Sequence, residues 1–500
     1  MKRYFSAFLL LSSLLTNAAI AQTPAAAKRP DYAVPFVNKT LPNGLEVIVL
    51  PDPSVPIVTV ELAVRNGSFT ESPEFHGLSH LYEHMFFKPN MALVLRDCEN
   101  LPNRFNVPPA CTRAQGLRSK IGDLSYLQNA NKVSIFNGTT REEIVNYYFT
   151  ATRDYLSTAI RYINDSVRYP TFDEEDFAAE KEVVIGEIDR HEANPFGYLD
   201  LAMKQKLFYK YPTRKDPQGT RESVGTSTLE KMRTIQARYY VPNNSALIVT
   251  GDVKPEEAFK FAEQIMGSWE RRAKDPFVEF PLVEHPPLPK SEAVIIERPA
   301  DSLSDPTAGQ NVFVEVGWHG PSIGKDDAAT YAADVFSYII EQPDSRFQRN
   351  LVDSGLMNSV NFGYYTQRNV GPINLILSTD PEKAKAAMKA VYAEINAFTR
   401  ADYFTDEQLE AAKTILENND LFEREKGSEY AHTLSFWWSS TGIDYFRTYH
   451  AKLRAVTRAD INKYLTNYVI GKNHVAITLA TPEGKKQANL TEQDLIGGAQ

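Results

Sequence analysis

The sequence predicts an α+β protein made of two homologous halves, each an α/β sandwich-like domain whose sheet is covered by helices. Three observations carry this. Alternating apolar runs of strand type give way repeatedly to apolar stripes of helical spacing. A proline-rich stretch without periodicity, DPFVEFPLVEHPPLPK (275–290), divides the chain. The close of the first half also returns at the close of the second. Tyr240-Val241, Asn244 and ALIVT are matched by Tyr468-Val469, Asn473 and VAITL, 228 residues later (468 minus 240).

The elements follow in order. Residues 1–21 read as a cleavable export signal. Lys2 and Arg3 precede an apolar run from Phe5, and Ala19-Ile20-Ala21 offers small residues before Gln22. A membrane anchor is the weaker alternative, because Ser12, Ser13, Thr16 and Asn17 break the run. Residues 22–38 form a linker, 39–272 a first domain, 273–290 a second linker, 291–485 the homologous second domain and 486–500 a tail. Within the first domain, TLPNGLEVIVLPDPSVPIVTVELAVRNGS reads as two strands around a proline turn. A helix is expected across ESPEFHGLSHLYEHMFF, and an irregular stretch over 88–130. Strands are expected at VSIFNG and EIVNYYFTAT, then a helix over about 153–168 and an acid-started helix over 173–192 that stops at Asn194-Pro195.

Net charge is -9, and it becomes -11 once the signal, with its two cations and no acid, is removed. That balance excludes nucleic acid as an expected partner and is compatible with basic peptides. No stretch beyond the signal is apolar enough to span a bilayer. The two cysteines, Cys98 and Cys111, close a short loop. In an exported protein they are expected to form a disulfide, the alternative being two free thiols.

The chemistry concentrates in HLYEH, residues 80–84. On a helix, His80 and His84 stand one above the other, about 5–6 Å apart at Cβ, a reach that suits two imidazoles on one Zn²⁺. Glu83 points toward the same space and is placed to take a proton from a metal-bound water. The plain alternative is a polar helix face, so a third ligand is the test. The helix at 173–192 carries Glu180 and Glu187, seven apart and on or beside its apolar stripe. A buried carboxylate is costly unless paired or bound to metal. A helix that turns this side to solvent remains the other possibility.

HLYEH followed by EKEVVIGE (180–187) resembles the inverzincin motif of the pitrilysin (insulinase-like) zinc metallopeptidase family. FNGTTREEIVNYYFTATRDYL and YYVPNNSALIVTGDV resemble further parts of its first domain, so the likeness runs through nearly the whole mature chain. The resemblance implies a clamshell of two halves and one Zn²⁺ per chain. It implies that His80, His84 and Glu187 bind the metal, that Glu83 is the general base, and that Glu180 is a second acid behind the site. It implies that Asn137 and Gly138 belong to an edge strand that binds peptide by strand addition, with Gly replacing the family's Ala. His76, one turn before His80, would be a surplus ligand.

Two departures shape the functional reading. His84 and Glu187 are farther apart in sequence than the family's habit, with the extra length around 88–130. The family's Arg and Tyr that hold substrate carbonyls from the second half align with Val352 and Asn358. The expectation is therefore an exported, periplasmic zinc metalloendopeptidase that cuts peptides or unfolded segments, working with a companion subunit that supplies Arg and Tyr. The alternative is a non-catalytic binding or assembly subunit that keeps the fold. A hydrolase of another substrate class has no support beyond the metal.

Overall fold

Strand β1 (Val37–Thr40) is followed by β2 (Glu46–Pro51) and β3 (Ile57–Val64). These join β4 (Ile135–Thr140), β5 (Val145–Thr152) and β6 (Ser245–Gly251) in a six-stranded sheet of order β1-β2-β6-β3-β5-β4. The second half repeats the plan with β7 (Glu292–Glu297), β8 (Val312–His319), β9 (Ser359–Tyr364), β10 (Pro372–Thr379) and β11 (Val475–Ala480). Its order, β7-β11-β8-β10-β9, is that of the first sheet without β1. In each, one pair is parallel, β2 with β6 and β7 with β11, and the other pairings are antiparallel. This is a computed structural model that describes residues 33–100, 107–133, 135–298 and 311–497. The signal at 1–21 and most of the linker at 22–38 lie outside the described residues.

The helices of the first half are α1 (Leu78–Phe86), α2 (Met91–Glu99), α3 (Pro109–Gly116), α4 (Arg118–Ile121), α5 (Leu156–Arg168), α6 (Glu174–Glu192), α7 (Pro195–Leu207), α8 (Arg221–Gly225), α9 (Leu229–Tyr239) and α10 (Pro255–Met266). After α11 (Pro276–Glu279) come α12 (Asp327–Ile340), α13 (Arg346–Gln348), α14 (Ala384–Ala397), α15 (Asp406–Glu423), α16 (Gly427–Ser440), α17 (Ile443–Ala455) and α18 (Arg458–Tyr468). The repeated Asn is an anchor in both halves. Asn244 Nδ2 donates to the carbonyls of Arg65 and Tyr239, and Asn473 Nδ2 to that of Leu288, just before β6 and β11.

Two local expectations are corrected. The stretch 88–130 is largely helical: α2 to α4 bury Met91, Leu95, Ala114 and Ile121 in a small core with Tyr126, Leu127 and Tyr169. Asn90 and Pro109 there start helices rather than prevent them. Asn90 accepts from the backbone N–H groups of Ala92 and Leu93, and Pro109 opens α3. The Cys98–Cys111 disulfide joins α2 to α3. The helix expected from residue 71 begins only at Leu78, after two single 3₁₀ turns. Gly77 sits at φ 82° and a Cβ there would meet the Gln218 carbonyl at 2.7 Å, so the chain turns sharply before the helix. Glu71 then caps α1, its carboxylate accepting from Gly77 N and Ser79 N at 2.7 Å each.

Each sheet has one face on its own helices and the other on a helix from the opposite half. Val60, Leu62, Tyr147 and Val249 pack toward α1 and α5. By strand alternation Glu61, Asn146 and Thr250 point the other way, where α16 lies: His432 Nδ1 meets Glu61 Oε2 at 2.6 Å and Thr250 Oγ1 donates to the Gly427 carbonyl. Reciprocally, Leu199, Met203 and Leu207 of α7 pack on Phe313, Val475 and Ile477 of the second sheet. Each large apolar side chain of α7 so buried contributes about 1.5–3 kcal/mol of gross transfer energy, and α16 adds its polar contacts, so the exchange binds the halves firmly. The result is a clamshell of two matched halves.

Candidate metal centre

Helix α1 is fixed to its sheet by Leu78, Leu81, Tyr82, Met85 and Phe86, all buried. Phe86 stacks on Tyr147 at 3.7 Å between ring centroids, and Tyr82 on Tyr240 at 4.1 Å. With that face committed, His80 and His84 turn to α6, which packs alongside. His80 Nε2 lies 3.4 Å from Glu187 Oε2 and His84 Nε2 lies 3.7 Å from the same oxygen. The ligand atoms of His80, His84 and Glu187 all fall within 4.8 Å of one another, and no other such group occurs among the described residues. A tetrahedron with bonds of about 2.0–2.1 Å has edges of about 3.3–3.4 Å, so these spacings fit a zinc-sized ion. The donor set fits too: two imidazole nitrogens and one carboxylate oxygen. Burial, with His84 alongside, pushes His80 down to about 4, which keeps its imidazole in the neutral, ligating form.

Glu180 and Glu187 are divided by role. Glu180 Oε2 receives His84 Nδ1 at 2.9 Å, and Lys88 Nζ meets its Oε1 at 2.5 Å. Burial raises this carboxyl, but the hydrogen bonds from Lys88 and His84 outweigh it and leave it below the ordinary range. An ionised Glu180 fixes the His84 tautomer with the proton on Nδ1 and Nε2 free to bind metal. His80 Nδ1, by contrast, is buried with no hydrogen-bond partner among the described residues.

Glu83 is buried beside these three side chains. Its Oε2 accepts from Thr140 Oγ1 at 2.7 Å. Burial raises its pKa, with Glu187 adding to the rise and the Thr140 hydrogen bond and His84 opposing it. Gly138 lies directly over it: a Cβ at 138 would stand 2.7 Å from Glu83 Cγ and 2.8 Å from Oε1. Glycine at this place makes room for the acid. Gly138 and Asn137 lie on β4, which among the described residues pairs with β5 alone and leaves its other edge unpaired. Asn137 pairs in register with Tyr148, so its side chain points away from α1.

The remaining sequence candidates are placed elsewhere. His76 precedes α1 and bonds Asp216, with Nε2 3.1 Å from Oδ2, so it does not join the ligands. Val352 lies beyond α13, and exposed Asn358 is bonded to Asn311 and Asp380. Sequence reasoning passed over Lys88, Thr140 and Glu71. Lys88 carried a signal, since it continues the four-residue spacing of His80 and His84; Thr140 and Glu71 act through strand and turn geometry that spacing does not encode.

Known proteins resemble the chain throughout. The family model described as Insulinase (Peptidase family M16) matches residues 46–91 and 124–216, an interruption that coincides with α2 to α4. The model described as Peptidase M16 inactive domain matches residues 226–416. Zinc protease PqqE of Helicobacter pylori is 20% identical over 471 residues, which is 93% of this chain and 97% of that protein. The crystal structure of a protease from Helicobacter pylori superposes with TM-score 0.72 at 17% identity, covering 89% of this chain and 99% of that one. The first half of the periplasmic protease PqqL from Escherichia coli superposes with TM-score 0.65 at 15% identity, covering 93% and 97%. With its first half matching the peptidase model and its second the inactive-domain model, the chain belongs to the insulinase-like peptidase family M16.

Proposed function

We propose that this protein is an exported zinc metalloendopeptidase that hydrolyses peptide bonds in peptides or unfolded segments. The observation that carries the reading is the convergence of His80, His84 and Glu187 beside buried Glu83, under the unpaired edge of β4. His80, His84 and Glu187 would hold one Zn²⁺. When bound, zinc lowers the pKa of water and polarises a carbonyl. The chain supplies the rest. The backbone of β4 at Asn137 and Gly138 takes the substrate as an added strand and fixes the scissile bond. Thr140 holds Oε2 of Glu83, so Oε1 is the oxygen free to accept the proton of the attacking water and return it to the leaving amine. Glu180 keeps His84 oriented throughout.

Export to the periplasm is inferred from the segment at 1–21, and the Escherichia coli relative is described as periplasmic. Recovery of a mature chain beginning at Gln22 from a periplasmic fraction tests it. Val352 and Asn358 stand where the family places Arg and Tyr, which favours a companion subunit that provides them. The same observation supports the second reading, a binding or assembly subunit. Metal content and hydrolysis of an unstructured peptide, measured on wild type and Glu83→Gln with and without candidate companions, decide between them. One zinc in both proteins with hydrolysis lost only in the variant is the expected result. Zinc without hydrolysis in every mixture would favour the binding subunit, and no zinc in either would overturn the zinc peptidase reading.

A further inference from the structure

The second half keeps a counterpart of the metal cleft. Helix α12 follows β8 and packs on edge strand β9, as α1 follows β3 and packs on β4. Helix α15 lies against α12 as α6 lies against α1. Asp334 and Tyr338 repeat the four-residue spacing of His80 and His84. Counted from the N-caps Thr405 and Asp173, Asn419 stands on α15 where Glu187 stands on α6. Asn419 Nδ2 meets Tyr338 Oη at 3.2 Å, in place of the contact between Glu187 and His84. The metal ligands are gone, but a cavity of about 600 Å³ remains, lined by these three residues and walled by Tyr364, Trp437 and Tyr449.

The cavity reaches the first half. Thr139, Arg141 and Asn146 of the β4–β5 hairpin line it too. Thr139 and Asn146 face each other in register, on the sheet face opposite α1. A peptide added to the free edge of β4 sends alternate side chains to the two faces. One set falls at the metal centre, and the other over Thr139 and Asn146, toward this cavity.

The charge inside is unevenly matched. His432 of the lining is held by Glu61, His450 lies 3.3 Å from Asp420, and Arg141 is exposed at the rim. Glu423 is exposed and meets Thr433. Asp334 has only a neutral donor, Tyr449 Oη at 2.7 Å, and no ion pair among the described residues. A carboxylate set among aromatic rings without a cation is the complement of a long cationic side chain, whose stem packs on the rings and whose head meets the acid.

We propose that this cavity is a recognition pocket for an arginine or lysine side chain of the peptide held by β4. It deepens the peptidase reading and rests on it for the peptide's position. The test is binding, which does not require turnover. Zinc-loaded Glu83→Gln protein is titrated, by fluorescence anisotropy, into two labelled peptides that differ only in arginine against citrulline, its neutral isostere. The arginine peptide is expected to bind at least ~5-fold tighter. Asp334→Asn is expected to abolish that preference. Equal affinities, or binding of neither peptide, overturn the proposal. A preference that survives in Asp334→Asn overturns it as well. The arginine–citrulline comparison uses the unaltered pocket, so it stands even if Asp334→Asn folds poorly. Wild-type hydrolysis is read separately, alone and with candidate companions: arginine-selective binding without cutting in any mixture defeats the peptidase reading and leaves the pocket supported.

Discussion

Helices α1 and α12 hold the same place in two matched halves, yet one presents His80, Glu83 and His84 and the other Asp334, Ser337 and Tyr338. Across from them stand Glu187 and Asn419. The cleft belongs to the fold, and the chemistry belongs to four side chains. Placement alone gives Ser337 the position of Glu83, but its hydroxyl donates back to the Ala333 carbonyl at 3.0 Å and serves the helix. The sharpest way to break the comparison is a pair of variants. Glu83→Gln should lower kcat of peptide hydrolysis about 10²–10⁴-fold with zinc retained, because it removes the proposed general base and keeps the shape. Ser337→Ala should leave kcat unchanged. An equal loss in both, measured on the same peptide, would mean that the halves do not differ as their side chains indicate.

Much of this was legible before any coordinates. HLYEH and EKEVVIGE are local patterns whose helical spacing fixes which side chains share a face, and the duplicated helix-YV-Asn-strand unit betrayed the two halves. What could not be read depends on contacts far apart in sequence. Glu71 caps α1 because the Gly77 turn folds the chain back, and Thr140 reaches Glu83 because β4 lies over α1. The exchange of α7 and α16 was invisible for the same reason: an apolar face shows that a helix packs, and does not show on which sheet. The 88–130 stretch reads as irregular, whereas Asn90 caps α2 and Pro109 opens α3.

The contacts between halves make a second comparison. Helix α7 joins them through apolar packing and α16 through polar contacts such as His432 with Glu61 and Thr250 with Gly427, while two opposite charges grip the 367–370 segment. Buried Lys215 Nζ donates to the carbonyls of Asn369 and Val370 at 2.7 and 2.8 Å and to Gln367 Oε1. Buried Glu143 accepts from Arg368 N and Asn369 N at 2.8 and 3.0 Å. Burial pulls Lys215 down to about 8, with Glu143 opposing that shift. Lys215→Met leaves the Gln367, Asn369 and Val370 oxygens without their donor and removes a cation that favours ionised Glu143, and should cost about 3–5 kcal/mol in denaturant unfolding. Lys215→Met with Glu143→Gln should recover part of that loss. A double variant that simply adds the two single losses would show that the charges act independently.

The link from the motif helix to the edge strand also differs between halves. It spans 87–134 in the first half and 341–358 in the second. Only the longer one carries a disulfide, closing a separation of 13 residues. Replacing Cys98 and Cys111 by Ala should lower stability by about 3 kcal/mol, the chain-entropy value for such a loop. Zinc content should be unchanged, because α2 to α4 rest on their own small core. Loss of zinc in that variant would tie the insertion to the metal centre. Behind the candidate metal centre, Glu180 has its counterpart at Ala412 by the same count from the N-caps. Glu180→Gln should weaken zinc binding ~10–100-fold by releasing His84, read by competition with a chelator. Unchanged affinity would show that His84 is oriented without it.

The smallest effect concerns the acid that replaces a histidine in the second half. Burial pushes Asp334 up to about 7, with the Tyr449 hydrogen bond opposing. In the unfolded chain the same carboxyl ionises at an ordinary 3.8. The folded state therefore binds the proton more tightly, so Asp334 favours folding at low pH and loses that contribution as pH rises from about 4 to 7. Above that window its charge is a standing cost on the order of 2 kcal/mol, discounted for water that reaches the cavity. Asp334→Asn removes the cost, so the variant should be the more stable protein at pH 8 and match wild type near pH 4. A gap of equal size at both values would show that the carboxylate is not held neutral. The measurement also bears on the pocket: an arginine peptide should stabilise wild type at pH 8 more than it stabilises Asp334→Asn, since a bound cation supplies what the half-buried acid lacks.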